Sequence, residues 1–478
     1  MTIILIPGIA LIAAVWNAIP RSSRSAPAIT LAASLVAVVV AVRLLLKLQF
    51  GAAITVAPGW VEVDALGAFL LVLIAFVYFT AALFSWGYLS VEEHAERRTR
   101  LYHANFNLFA FSMLCIPLLS ELGLVWIFVE LTTLLSVLLV SYAMTPQAVE
   151  AAWKYMVLTL LGATIAVLGV LMLFWALHAT GSTEFTWNGL RAAAPHMNRA
   201  LLSTAFVLLL VGYGAKIGLV PLHTWLPDAH SQAPSPVCAM LSGIETSAVL
   251  YVILRLRDVF ASDGSLHVSL WFAVAGLISV GVAALLIVQA HDYKRLFAFS
   301  TVEHMGIILT AASILTPIGD VATLWQMLAH AVTKSFCFYA AGVTLIVTGT
   351  REITDVRGLL GASRVARAGL LLGGLAIGGA PPMAVFPSEV AILRAALAAH
   401  EYVVATLLAI FIVIAFFGVM WHITSMLAGT ASPQIRRIVP WSCALALFVG
   451  AIPVLVLGVW LPTGLVNALE SAAKVLGA

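Results

Sequence analysis

The sequence predicts an all-α, polytopic membrane protein, and three observations carry that expectation. Of its 478 residues, 62% are hydrophobic and 9% charged, where a soluble domain has roughly 25% charged residues. Its apolar residues fall into successive runs of the length that crosses a bilayer, about 20 residues each. Two runs, 201–228 and 369–398, are overlong and carry glycine and proline near their middles. Length alone would suggest about three soluble domains. No Pro- or Ser-rich linker divides the chain, however, so a single transmembrane domain over 1–478 is expected.

The ruler of about 20 residues gives about fourteen spans. They lie near 3–19, 27–47, 64–88, 104–119, 122–143, 152–177, 201–228, 236–254, 267–288, 293–315, 322–348, 369–398, 402–428 and 438–462. The first lacks a basic leader and is followed by Arg21 and Arg24, so it reads as a span rather than a cleaved signal. A continuous helix over 201–228 would be about 42 Å long, against a hydrocarbon layer of about 30 Å. Pro221 and Pro227 in the first overlong run, and "GGAPP" at 378–382 in the second, therefore predict broken helices. No strand-like alternation recurs. The two broken runs lie five spans apart, which suggests inverted five-helix repeats near 104–254 and 267–428, flanked by helices 3–88 and 438–462. Unwound backbone is tolerated at membrane depth only where it lines a protein cavity, so the breaks mark a candidate transport path.

Charge placement gives an orientation. With the N-terminus outside, the inner loops receive 14 of the 24 Lys and Arg, among them Arg21, Arg24, Arg97, Arg98, Arg100, Lys294, Arg436 and Arg437; the outer side receives 8. That bias places both termini outside the cytoplasm, in a multi-pass protein of the cell inner membrane. The net charge of +3 is what such loops supply and does not imply nucleic-acid binding. Cys115, Cys238, Cys337 and Cys443 are scattered through apolar runs without metal-ligand spacing and read as buried small hydrophobes. No cofactor or metal site is expected, and no phosphate loop or Ser–His–Asp spacing marks a catalytic centre.

Charges at span centres are rare, costing about 2.5 to 3.5 kcal/mol each even on the lenient insertion scale. This chain has six near span centres: Glu130, Lys216, Glu245, Glu303, Lys334 and Glu389. One Glu–Lys pair serves equally well as a structural clamp, but six such groups at similar depth favour a functional row. Within it, Glu245 has an alternative reading as a bond to a neighbouring helix, and Glu303 beside His304 as a local polar contact. His223, His230, His304 and His330 are possible relays, because imidazole titrates near neutrality. His330 lies four residues before Lys334 and shares its helical face; His230 reads as an access or helix-end residue. Histidine pairs also ligate haem, but the lysines and carboxylates beside these argue against an electron carrier.

The segments "VELTTLLSVLLVSY", "AAWKY", "KIGLVPLHTWLPDAHSQAPSPVCAMLSG", "HDYKRLFAFSTVEHMGI", "LAHAVTKSFCFYAAG" and "PPMAVFPSEVAILRAAL" resemble the proton-conducting antiporter-like membrane subunits shared by complex I, Mrp antiporters and membrane-bound hydrogenases. The resemblance spans about residues 65–430 and is greatest to the hydrogenase-4 component F type. It implies that Glu130 and Lys216 form the proton-handling pair of the first half, that Lys334 and Glu389 serve the second, and that the subunit binds no redox centre. Many members carry a lysine after the interrupted span, where this chain offers Glu245 and Ser247.

The leading expectation is therefore a proton-translocating subunit of a hydrogenase-4-like or complex I-related oxidoreductase complex. Its partners would be further membrane subunits and a soluble redox arm of hydrogenase-like and iron–sulfur proteins. The alternatives are a subunit of an Mrp-type antiporter exchanging Na⁺ or K⁺ for H⁺, and a non-transporting membrane anchor.

Overall fold

The computed structural model describes residues 2–19, 23–49, 51–91, 96–262, 266–429 and 438–477. Arg21, Arg436 and Arg437 of the charge ledger lie outside them. Eleven helices among the described residues are long and apolar enough to cross a membrane. The three remaining expected spans are the short first helix Thr2–Ala18, the more polar Tyr293–Ala312, and the second overlong run, which is split in two.

Both breaks are present. Arg199–Ile217 ends at Gly218, whose φ of +87° suits a residue without a Cβ, and the helix resumes as Trp225–Gln232. Arg364–Ile377 ends before Gly378, and helix resumes at Val385–Ala398. Backbone groups released at membrane depth need partners, and side chains and backbone groups of nearby elements supply them. At the first break Trp225 Nε1 donates to Ala215 O at 2.8 Å and Val220 N to Ser279 Oγ at 3.1 Å. At the second, His304 Nε2 donates to Ile377 O at 3.2 Å and Ala384 N to Val454 O at 2.9 Å.

Three helices form the centre of the bundle: Ala65–Tyr88, Ser235–Ala261 and Pro317–Thr348 are 83%, 100% and 94% buried over their apolar windows, against 33% for the lipid-facing Tyr402–Leu427. Two members of the charged row, Glu245 and Lys334, sit on these innermost helices, and the others lie on helices around them. The helix containing Ser235–Ala261 changes pitch over Leu241–Glu245, a π-helical segment, of the kind found mostly at functional sites. Gly243 permits the close approach this segment makes to the Pro317–Thr348 helix, since a Cβ there would meet Ala331 O at 3.2 Å.

Two elements differ from expectation. A short hairpin pairs Ile54–Ala57 with Val61–Val63 through a turn at Gly59, φ +79°; strands this brief show no alternation to read. A thirteen-residue helix, Thr463–Val475, follows the last span and is too short for the bilayer ruler. Its terminal carbonyls are held by Arg191 Nη2 on Val475 O at 2.7 Å and Arg257 Nη2 on Leu476 O at 2.6 Å. Lys294, assigned to a loop by the charge count, is buried in the first turn of Tyr293–Ala312 with Nζ donating to Ala233 O at 2.5 Å.

Candidate functional site

The first cluster is assembled from four helices. Lys216 lies in the last turn of Arg199–Ile217, where the negative end of the helix dipole favours a cation. It is 3% exposed. Its ammonium donates to Thr133 Oγ1 and lies 3.5 Å from Glu245 Oε1. Glu245, on the π-helical segment, also accepts from Thr132 Oγ1 at 2.7 Å and from Tyr155 OH at 3.2 Å. Ser136 Oγ completes the set at 2.8 Å from Tyr155 OH.

Lys216 was expected to pair with Glu130, yet its ion pair is with Glu245. Both carboxyl oxygens of Glu130 are buried without a hydrogen-bond partner, while the group remains in Coulombic range of Lys216 and Glu245. The lysine thus stands among two carboxylates, bonded to one. Glu245 bonds neighbouring helices, the alternative reading considered for it, and also holds the lysine.

The second cluster lies on Pro317–Thr348 and the helices around it. Gln326, His330 and Lys334 recur every fourth residue and share one stripe of that helix. Lys334 Nζ donates to Phe297 O at 2.6 Å and Ser300 Oγ at 2.5 Å, and Glu303 is within its Coulombic range. Glu389, expected to serve the same half, makes no ion pair with Lys334. Glu389 lies in the half-helix after the second break, packed against Gly379 and in Coulombic range of Glu303. Its carboxyl lines a cavity of about 420 Å³ beside Gly378, Pro381 and Phe416.

The histidines tie the clusters together. His330 Nε2 donates to Ser242 O of the π-helical segment at 3.0 Å, which leaves Nδ1 as a buried acceptor without a donor. Its ring lies 5.3 Å from that of His304. His304, donating through Nε2 to Ile377 O, accepts at Nδ1 from Gln326 Nε2 at 3.4 Å, and Ser388 Oγ, next to Glu389, donates to Gln326 Oε1 at 2.5 Å. The tautomers follow from these carbonyl acceptors. Polar groups therefore follow one another from Lys216 and Glu245 to Ser242 on the same π-helical segment, then His330, His304, Gln326 and Ser388 beside Glu389, with His330 and His304 related by ring proximity rather than a hydrogen bond.

His230 and His223 lie apart from this sequence. His230 is fully buried, donates through Nδ1 to Leu226 O at 2.7 Å, has no partner at Nε2, and is in Coulombic range of Lys294 and Lys334. His223 stands half-buried at the first break. Thr132, Thr133, Tyr155, Gln326 and Ser388 were not singled out from sequence. The i, i+4 stripe from Gln326 was the available signal for one of them.

Discontinuous helices with ionisable groups beside their breaks, joined by a buried row of Glu, Lys and His, define an antiporter-like membrane protein. Residues 120–415 match the family described as NADH:quinone oxidoreductase/Mrp antiporter, TM, and the chain belongs to that family. The hydrogenase-4 component F homolog of Methylacidiphilum infernorum (isolate V4) is 37% identical over 353 residues, 72% of this chain and 74% of that protein. A chain of the membrane-bound sulfane sulfur reductase, an archaeal respiratory membrane complex, superposes with a TM-score of 0.89 at 25% identity, covering 99% of this chain and 96% of its own. A chain of the Mrp complex from Dietzia sp. DQ12-45-1b gives 0.88 at 20% identity, over 99% and 96%, and speaks for the fold.

Proposed function

We propose that this antiporter-like subunit translocates protons within a hydrogenase-4-like, redox-driven complex of the inner membrane. Both termini lie outside the cytoplasm, and two inverted repeats near 104–254 and 267–428 each contribute one broken helix. A soluble redox arm of hydrogenase-like and iron–sulfur proteins supplies the driving force. The observation that carries this reading is the position of Lys216, bonded to Glu245 and within reach of the charge on Glu130.

In this account Glu130 is the vacant acceptor. A proton arriving on or leaving it changes the field at Lys216, and the lysine shifts between the two carboxylates. Coupling of this kind is strong where the effective dielectric is low, and the titration belongs to the group rather than to one residue. The altered charge at Glu245 acts through the π-helical segment on His330, whose free Nδ1 accepts a proton. Lys334, Glu303 and Glu389 complete the second half.

The match to a family named for Mrp antiporters supports a second reading, exchange of Na⁺ or K⁺ for H⁺. Vesicles containing the whole complex, and vesicles containing this chain alone, separate the two. The leading reading predicts proton uptake only in the former and only during redox turnover. Cation-dependent pH changes with the chain alone would replace it with the antiporter.

A further inference from the structure

A second cavity, of about 590 Å³, opens between the Glu96–Cys115 helix and the end of Leu122–Val140. Its mouth carries Arg97 and Arg98, its walls are chiefly apolar, including Leu101, Leu108 and Leu138, and no acidic side chain is among its described lining residues. Arg98 is fixed in place, donating to Tyr142 O with its guanidinium 4.9 Å from the Tyr142 ring centroid. Arg97 is exposed and makes no hydrogen bond or ion pair among the described residues.

Depth decides what fits. Arg97 begins one apolar span and Leu138 is near the end of the next, which closes at Ala143. The arginines therefore lie at headgroup level. Leu108 is eleven residues further along the helix, about 16 Å deeper, at acyl-chain level. The cleft opens sideways, since Leu101 and Leu138 are 45% and 61% exposed. A ligand matching this gradient is an anion at one end and a hydrocarbon at the other. Basic pockets between transmembrane helices recognise lipid headgroups in this way.

We propose that this cleft binds an anionic phospholipid, its phosphodiester between Arg97 and Arg98 and one acyl chain along Leu101, Leu108 and Leu138. The test is native mass spectrometry of the full chain in mild detergent, after exposure to phosphatidylglycerol, phosphatidylcholine or inorganic phosphate. The expected result is selective retention of phosphatidylglycerol. Arg97→Gln lowers retention about fivefold, the effect of one basic residue beside an anionic headgroup. Leu138→Trp, which keeps both arginines and fills the apolar slot, lowers it as well. Equal retention of phosphatidylcholine, unchanged retention in both variants, or displacement of the lipid by inorganic phosphate would each overturn the proposal.

Discussion

Lys216 Nζ lies 3.5 Å from Glu245 Oε1, and both side chains are buried within the bundle. The lysine comes from the end of a half-helix and the carboxylate from a π-helical segment. One ion pair therefore joins the broken helix of the first half to the element that touches His330 of the second.

Removing one member of a buried pair leaves the other charge uncompensated, at about 3–5 kcal/mol. Glu245→Ala is accordingly expected to lower the thermal unfolding temperature of the purified chain, and the double variant Glu245→Ala with Lys216→Met to recover most of the loss. Additive losses in the double variant would show that the two residues do not act as a pair.

Tyr155→Phe keeps the buried ring and removes one donor to Glu245. Hydrogen bonds to charged groups contribute about 1.5–3 kcal/mol, so stability in detergent should fall by that order. Redox-driven proton uptake should fall with it, because the carboxylate that holds Lys216 is no longer fixed. Unaltered stability and uptake would remove Tyr155 from the cluster.

The sequence made the ionisable members of the row conspicuous, since a lysine or carboxylate inside an apolar run has few structural uses. Their partners were hidden. Glu130 and Glu245 are equally plausible neighbours for Lys216 in one dimension, and only the packing of four helices selects Glu245. Thr132 and Tyr155 are ordinary residues of membrane helices until a carboxylate is placed against them. The breaks were legible because glycine and proline interrupt runs too long for the bilayer. The π-helical segment was not, as "LSGIE" has no composition that distinguishes it from the helix on either side.

His330 is anchored through Nε2 and has a free Nδ1. His330→Asn retains a side-chain N–H donor for Ser242 O but removes the titratable ring. It should leave the complex assembled and slow redox-driven proton uptake at least tenfold, a change of about 1.4 kcal/mol or more in the barrier of the controlling step. Normal uptake in this variant would break the link between the halves.

Arg257 is buried in an ion pair with Asp320 and also holds Leu476 O. Arg257→Ala leaves Asp320 unpaired and releases the end of the Thr463–Val475 helix. Limited proteolysis should then cut the C-terminal segment at least several times faster than in the parent chain. Equal cleavage rates would show that the Arg191 bond to Val475 O and the apolar face hold the helix without Arg257.

If Lys216 is the moving charge of the first half, its removal uncouples proton uptake from electron flow. The direct measurement is proton uptake per electron in inverted membrane vesicles carrying the assembled complex, for the parent chain and for Lys216→Ala and Glu130→Ala. Both variants are expected to assemble and turn over their electron donor while proton uptake per electron falls sharply. Unchanged uptake per electron in both variants, with assembly verified by co-purification, would contradict it.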